Sequence, residues 1–153
     1  MAVNLYDANG VGVLDPDDFN AFQTRRRGAR TAYDLGTAQN QYKRDTYAQQ
    51  YGRQSNDLRI EYGRKRRDFG SDLNKRGLLN SGLYDSAYRD LQTDKLRSGD
   101  GLREQYNNAR RGLDLADSQL GIIKNSSLND VESAEAARRS SVAAALKYAQ
   151  ENG

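Results

Sequence analysis

The sequence predicts an all-α protein: a long antiparallel helical hairpin plus a C-terminal helix, coiled-coil-like and assembled as an oligomer. Three observations carry this. From Thr46 to Leu78 the chain repeats every eleven residues, as TYAQQYGRQSN, DLRIEYGRKRR and DFGSDLNKRGL. From Leu102 to Ile123 apolar residues alternate steps of four and three. Finally, Pro16 is the only proline among 153 residues, so no strong helix breaker follows it.

In the eleven-residue repeat Tyr47, Leu58 and Phe69 form one column, and Tyr51, Tyr62 and Leu73 a second, four residues along. Gly52 and Gly63 follow the second column, and Arg53 and Arg64 follow them. Eleven residues span three turns at about 3.67 residues per turn, so helices packed on such a stripe run nearly straight or supercoil weakly right-handed. The stripe is too narrow for a helix lying on a globular core. It suits a helix gripped by one or two neighbours.

Taken in order, residues 1–14 are apolar and glycine-rich without helical period. Two readings stand: a small hairpin around Asn9-Gly10, or an arm that docks on a neighbouring subunit. The stretch Asp7–Asp18 also resembles the calcium loop of EF-hand and dockerin proteins. Asp7, Asn9, the Val13 carbonyl, Asp15 and Asp18 match that family's ligand positions, and Gly12 stands at its glycine. The match departs at Val11, which offers no side-chain oxygen, and at Asp18, where most EF-hands carry Glu. The competing reading is a turn followed by a helix cap, and no metal site is assigned.

Residues 15–76 are expected to form a long basic helix. Asp15 can accept from the free N–H groups at its start, Pro16 fits the first helical position, and Asp17 and Asp18 complement the positive end of the dipole. Unbroken, some 60 residues would reach about 90 Å. The columns extrapolate back to Gly36 and Asn40, where the repeat fades, and two readings stand: a break near Gly36–Asn40 or an unbroken helix. Glycines 28, 36, 52, 63 and 70 each cost a helix about 1 kcal/mol against Ala; either close approach by a neighbour offsets that cost or the helix unwinds locally.

Residues 77–82, Gly77, Leu78, Leu79, Asn80, Ser81 and Gly82, read as the hairpin turn. Gly77 suits the left-handed residue after a helix end, Asn80 or Ser81 can cap the next helix, and Leu78 and Leu79 can plug the hairpin end. The second helix, 83–124, carries Tyr84, Tyr88 and Leu91, then the heptad seam Leu102, Tyr106, Ala109, Leu113, Ala116, Leu120 and Ile123. Ser98-Gly99-Asp100-Gly101 interrupts the pattern and is expected to kink or break it. Asn125-Ser126-Ser127 is expected to end that helix, and residues 125–153 to form a separate Ala-rich third one, opened by a capping-box-like Ser127 and Asp130. The helix-packing interface is assigned to Tyr47, Tyr51, Leu58, Tyr62, Phe69, Leu73, Leu102, Tyr106, Leu113 and Leu120.

Composition narrows the function classes. Leu, Ile, Val and Phe make up 27 of the 153 residues, below the ~20% under which a chain lacks the apolar content for a compact core. The net charge is only +3, so disorder by self-repulsion is not expected. The expectation is a helical protein that completes its core with other chains. There is no Cys and no His, which removes thiol chemistry and the commonest general base and metal ligand. No phosphate loop, dinucleotide fingerprint, metal cluster or nucleophile elbow occurs, so neither enzymatic activity nor a cofactor is assigned. No run of ~18 apolar residues occurs, and no secretory signal is expected.

The turn Arg76-Gly77-Leu78-Leu79-Asn80-Ser81-Gly82, set between long Arg-, Tyr- and Gln-rich helices, resembles small helical virion proteins of tailed bacteriophages, especially tail or baseplate components. The resemblance implies a non-enzymatic structural role in the virion, with assembly in the host cytoplasm. It implies as partners other virion structural proteins and further copies of the chain, a trimer matching the threefold parts of such tail tips. The alternative is a basic nucleic-acid-binding protein, packaged or ejected with the genome. Residues 24–76 hold 14 Lys/Arg against six Asp/Glu, including Arg25-Arg26-Arg27 and Arg64-Lys65-Arg66-Arg67, with tyrosines interleaved.

Overall fold

The computed structural model describes residues 13–78 and 82–152. They form two helices, α1 (Pro16–Lys75) and α2 (Gly82–Asn152), and no strand occurs among the described residues. The expected hairpin or arm at residues 1–14, apart from Val13 and Leu14, lies outside the described residues, as do Leu79, Asn80 and Ser81 of the turn.

Local chemistry sets the ends of α1. Asp15 Oδ1 accepts from the Asp18 N–H at 2.8 Å, and the Asp15 carbonyl accepts the first helical bond from Phe19 at 3.0 Å. This is an N-cap with Pro16 at the first helical position. At the other end Gly77 has φ 68°. The Leu78 N–H reaches the Leu73 carbonyl at 2.9 Å and the Gly77 N–H reaches Asn74 at 3.1 Å. These two bonds are the Schellman pair that satisfies the last carbonyls of a helix. Leu73 is buried and Leu78 half-buried, as the motif's apolar contact requires.

The chain divides into two compact units. One comprises Asn40–Ala116, the C-terminal part of α1 and the N-terminal part of α2, joined through the turn. Its helices are antiparallel: Tyr51 stacks on Tyr106 with centroids 4.9 Å apart, and Phe69 on Tyr84 at 6.1 Å. Leu73 and Leu113 are its buried apolar side chains, and Asn40 is buried with them.

The other unit comprises Met1–Gln39 and Asp117–Gly153. Leu14, Phe22 and Val131 form its apolar cluster. Leu120 lies directly on Gly36: a Cβ added there would come within 2.6 Å of a Leu120 methyl. Gly36 is thus a socket for Leu120, and α1 runs through it unbroken.

Three sequence expectations are corrected. α2 is not broken at Ser98–Gly101; without proline, two glycines cost about 2 kcal/mol but remove no backbone N–H. It also continues through Asn125–Ser127 to Asn152, so residues 125–153 are not a separate third helix. Asn and Ser cost only tenths of a kcal/mol each in a helix interior, and Ser127 and Leu128 are half-buried on the face that continues to Val131. Finally, the heptad seam does not extend to Ile123, which is 61% exposed. From Asp117 the covered face includes Leu120, Lys124, Leu128, Val131, Glu135, Arg139, Val142 and Leu146, with Gly121, Ser127 and Ala143 at its edges. The steps along the face sum to eleven every third residue. A heptad drifts ~20° per repeat around a straight helix, whereas an eleven-residue repeat stays close to the same face.

Gly77→Ala is expected to lower stability by about 1–2 kcal/mol, because an L side chain is strained in the left-handed region. Gly52→Ala stands at an open helical position, with nothing within 4 Å of the new Cβ, and is expected to add up to ~1 kcal/mol. Urea midpoints of the two variants check the opposite signs.

Candidate functional site

The residues assigned to helix packing fall in these two units as follows. In Asn40–Ala116, Tyr51, Leu58, Tyr62 and Phe69 are half-buried, Leu73 is buried and Tyr47 is 38% exposed. On α2, Leu102 and Tyr106 are half-buried and Leu113 is buried. Leu120, in the other unit, is half-buried against Gly36. Ile60, off both columns, is 41% exposed. The columns therefore turn toward the partner helix of the same chain. This follows from the steps of four and seven between them, which hold one face of a helix.

The tyrosines meet polar groups at the edges of the contact. The Tyr62 hydroxyl lies 3.3 Å from Ser98 Oγ, and Gln92 Nε2 donates to the Tyr88 hydroxyl at 2.9 Å. Arg66 stands over the Tyr88 ring at 5.2 Å and Lys65 over Tyr62 at 4.8 Å. Lys65 also pairs with Glu61 at 2.5 Å, and that hydrogen bond raises its pKa above the ordinary lysine value. Tyr47, Gln50 and Gln54 of α1 and Leu102, Gln105 and Ala109 of α2 border the stacked Tyr51–Tyr106 pair in a shallow groove.

The strongest electrostatic cluster belongs to the other unit. Glu135, 8% exposed, accepts from Arg26 Nη2 at 2.5 Å across the helices and from Arg139 at 2.9 Å and 3.1 Å within α2. The Arg139 hydrogen bonds, then the one from Arg26, hold its carboxyl below the ordinary glutamate range, against the opposing effect of burial. At the next level, Arg138 Nε donates to Asp18 at 2.6 Å, which raises the Arg138 pKa. Lys124 lies 4.0 Å above the Tyr33 ring. The apolar columns of the sequence give no sign of this cluster, because its members are charged. The available signal was the eleven-residue spacing of Lys124 and Glu135.

The calcium-loop reading falls partly outside the described residues, which begin at Val13. Within them, Asp15 and Asp18 are engaged in the helix cap and in the pair with Arg138. No group of three or more His, Cys, Asp or Glu able to hold a metal occurs among the described residues. No helix of the described residues is long and apolar enough to cross a membrane.

No known protein family, curated protein or solved structure matches this chain.

Two predictions follow from this geometry. Leu73→Ala is expected to cost about 2–3 kcal/mol, Leu58→Ala less because it is only half-buried, and Ile60→Ala under ~1 kcal/mol. Thermal melting checks the order, and an Ile60 effect equal to that of Leu73 would refute the eleven-residue columns as the packed face. Glu135→Gln should lower stability by about 1–3 kcal/mol at neutral pH, by removing a charge that two arginines solvate. The pKa of Glu135 is depressed on folding. Its contribution is therefore complete above the ordinary glutamate value of about 4.3 and is lost as pH falls through the lower folded value. Urea titrations across the acid range should show wild type losing this increment while Glu135→Gln does not.

Proposed function

We propose that this chain is a non-catalytic structural protein that works by packing its helices against other chains, as a tail or baseplate component of a tailed-bacteriophage virion. One observation carries the assembly part of this reading. Among the described residues five apolar side chains are buried and none is fully enclosed, while twelve large ones are exposed, including Leu35, Leu83, Leu96, Leu115, Ile122 and Tyr148 at 60–70%. Two helices alone bury fewer large apolar side chains than they leave exposed, and further helices from other copies or partners would cover the rest. The virion assignment rests on the glycine-capped turn at Arg76–Gly82 and the Arg-, Tyr- and Gln-rich helices around it.

A second reading, nucleic-acid binding, draws on Arg53, Arg64 and Arg67, which are exposed and have no carboxylate within 4 Å among the described residues. Tyr51 stacks on Tyr106 and the Tyr62 hydroxyl meets Ser98, so both rings are engaged in the helix contact.

Light scattering of the purified protein is expected to give a multiple of 17.2 kDa, and mass spectrometry of purified virions should find the chain among the structural proteins. A monomer at every accessible concentration would refute the assembly reading. Absence from virions, with assembly intact, would refute only the virion assignment.

A further inference from the structure

The unit Asn40–Ala116 carries opposite charge on its two flanks. On one flank a groove between the helices is lined by Arg59, Tyr62, Gly63 and Arg66 of α1 and by Leu91, Gln92 and Lys95 of α2. Three cations converge there, and no carboxylate lines the groove. On the other flank the groove is lined by Lys65 and Phe69 of α1 and by Ala87, Asp90, Leu91 and Asp94 of α2. Leu91 borders both, so the two grooves lie at one level of the hairpin.

The sequence dictates this division. With Leu58, Tyr62 and Phe69 turned toward α2, positions 59, 63 and 66 follow one edge of α1, and positions 61, 65, 68 and 72 follow the other. The first edge reads Arg59, Gly63, Arg66. The second reads Glu61, Lys65, Asp68, Asp72.

Most charges within each flank are not closed into ion pairs, and Asp94 acts on Lys65 only at longer range than a contact. Arg59, Arg66 and Lys95 form no ion pair among the described residues; Arg59 donates to Asn56 and Arg66 covers Tyr88. Opposite them, Lys65 is held by Glu61 at 2.5 Å, and neither Asp90 nor Asp94 has a cation within 4 Å among the described residues. The cationic edge is also low: nothing lies within 4 Å of a Cβ placed on Gly63, so another helix can approach the backbone. The acidic flank offers Phe69, Ala87 and Leu91 as apolar surface beside its carboxylates.

We propose that the two flanks dock on each other between copies, the Arg59–Arg66–Lys95 groove of one chain receiving the Asp90–Asp94 edge of the next. This rests on the assembly reading above and specifies its interface. Like charges gathered on one flank repel one another, and the neighbour's opposite flank relieves that repulsion while covering Phe69 and Leu91. The contact is heterologous, joining two different surfaces. It therefore leaves one flank free on each terminal copy and propagates until it closes into a ring or extends as a filament.

The test uses the full chain with two charge-reversed variants, Arg66→Glu/Lys95→Glu and Asp90→Lys/Asp94→Lys. Circular dichroism establishes that each remains helical, and light scattering reads the mass. Each variant alone is expected to fall to the monomer mass, and an equimolar mixture to reassemble, because each then supplies the flank the other lacks. Should a reversal fail to fold, the neutralised variants Lys95→Gln and Asp94→Asn are expected to raise the concentration needed for assembly several-fold. Dissociated variants that do not reassemble on mixing overturn the proposal. Variants that keep the wild-type mass overturn it while leaving the assembly reading intact. If, in addition, Arg66→Glu/Lys95→Glu alone loses retention of duplex DNA, the groove is a nucleic-acid surface. A wild-type protein that is monomeric throughout overturns both.

Discussion

The structure depends on one geometric constraint: within each unit two helices meet along a stripe that must hold its face for many turns. Helices that stay nearly straight can do this only with a repeat close to their natural period, and eleven residues in three turns meets that condition. Asn40, Tyr51, Tyr62 and Leu73 of α1 in the unit Asn40–Ala116, and Leu120, Val131 and Val142 of α2 in the other unit, are covered positions that keep this spacing. A stripe this narrow shields few atoms, which is why, among the described residues, none of the five buried apolar side chains is fully enclosed.

A thin apolar contact defines register weakly, since one turn of slip exchanges one large residue for another. Polar and small groups at stripe positions supply the missing definition. Glu135 stands between Arg26 and Arg139, and a slipped pairing would separate it from Arg26 and leave buried charge less compensated. Leu120 lies on Gly36 at a separation that admits no Cβ. A slip would place Leu120 over a larger residue and leave Gly36 facing a gap. The glycine and the ion cluster thus do work that a uniform leucine stripe could not.

Glycines elsewhere have a different meaning. Gly77 is required by its backbone angle, whereas Gly63 has neither a positive φ nor a neighbour within 4 Å of its Cβ position. Within the chain that residue only weakens α1. Its place on the cationic flank, beside Arg59 and Arg66, gives the weakness a role if another helix approaches there.

The sequence by itself determined the all-helical class, the cap at Asp15, the left-handed stop at Gly77 and the face shared by Tyr51, Leu58, Tyr62, Phe69 and Leu73. Each is decided within one or a few turns, by hydrogen bonds and sterics between residues close in the chain. Its readings were less secure wherever the partner helix decides. Gly36 and Asn40 looked like the end of a repeat, and Asn125–Ser127 like the end of a helix, because those residues are poor in apolar surface or helix propensity. The tertiary structure made Gly36 a socket, buried Asn40, and carried α2 through 125–127. What each position gains depends on what stands across from it, and a separation of some hundred residues, as between Arg26 and Glu135, leaves no local pattern to read. The same holds for the two charged flanks, which exist only once α1 and α2 are set side by side at the level of Leu91.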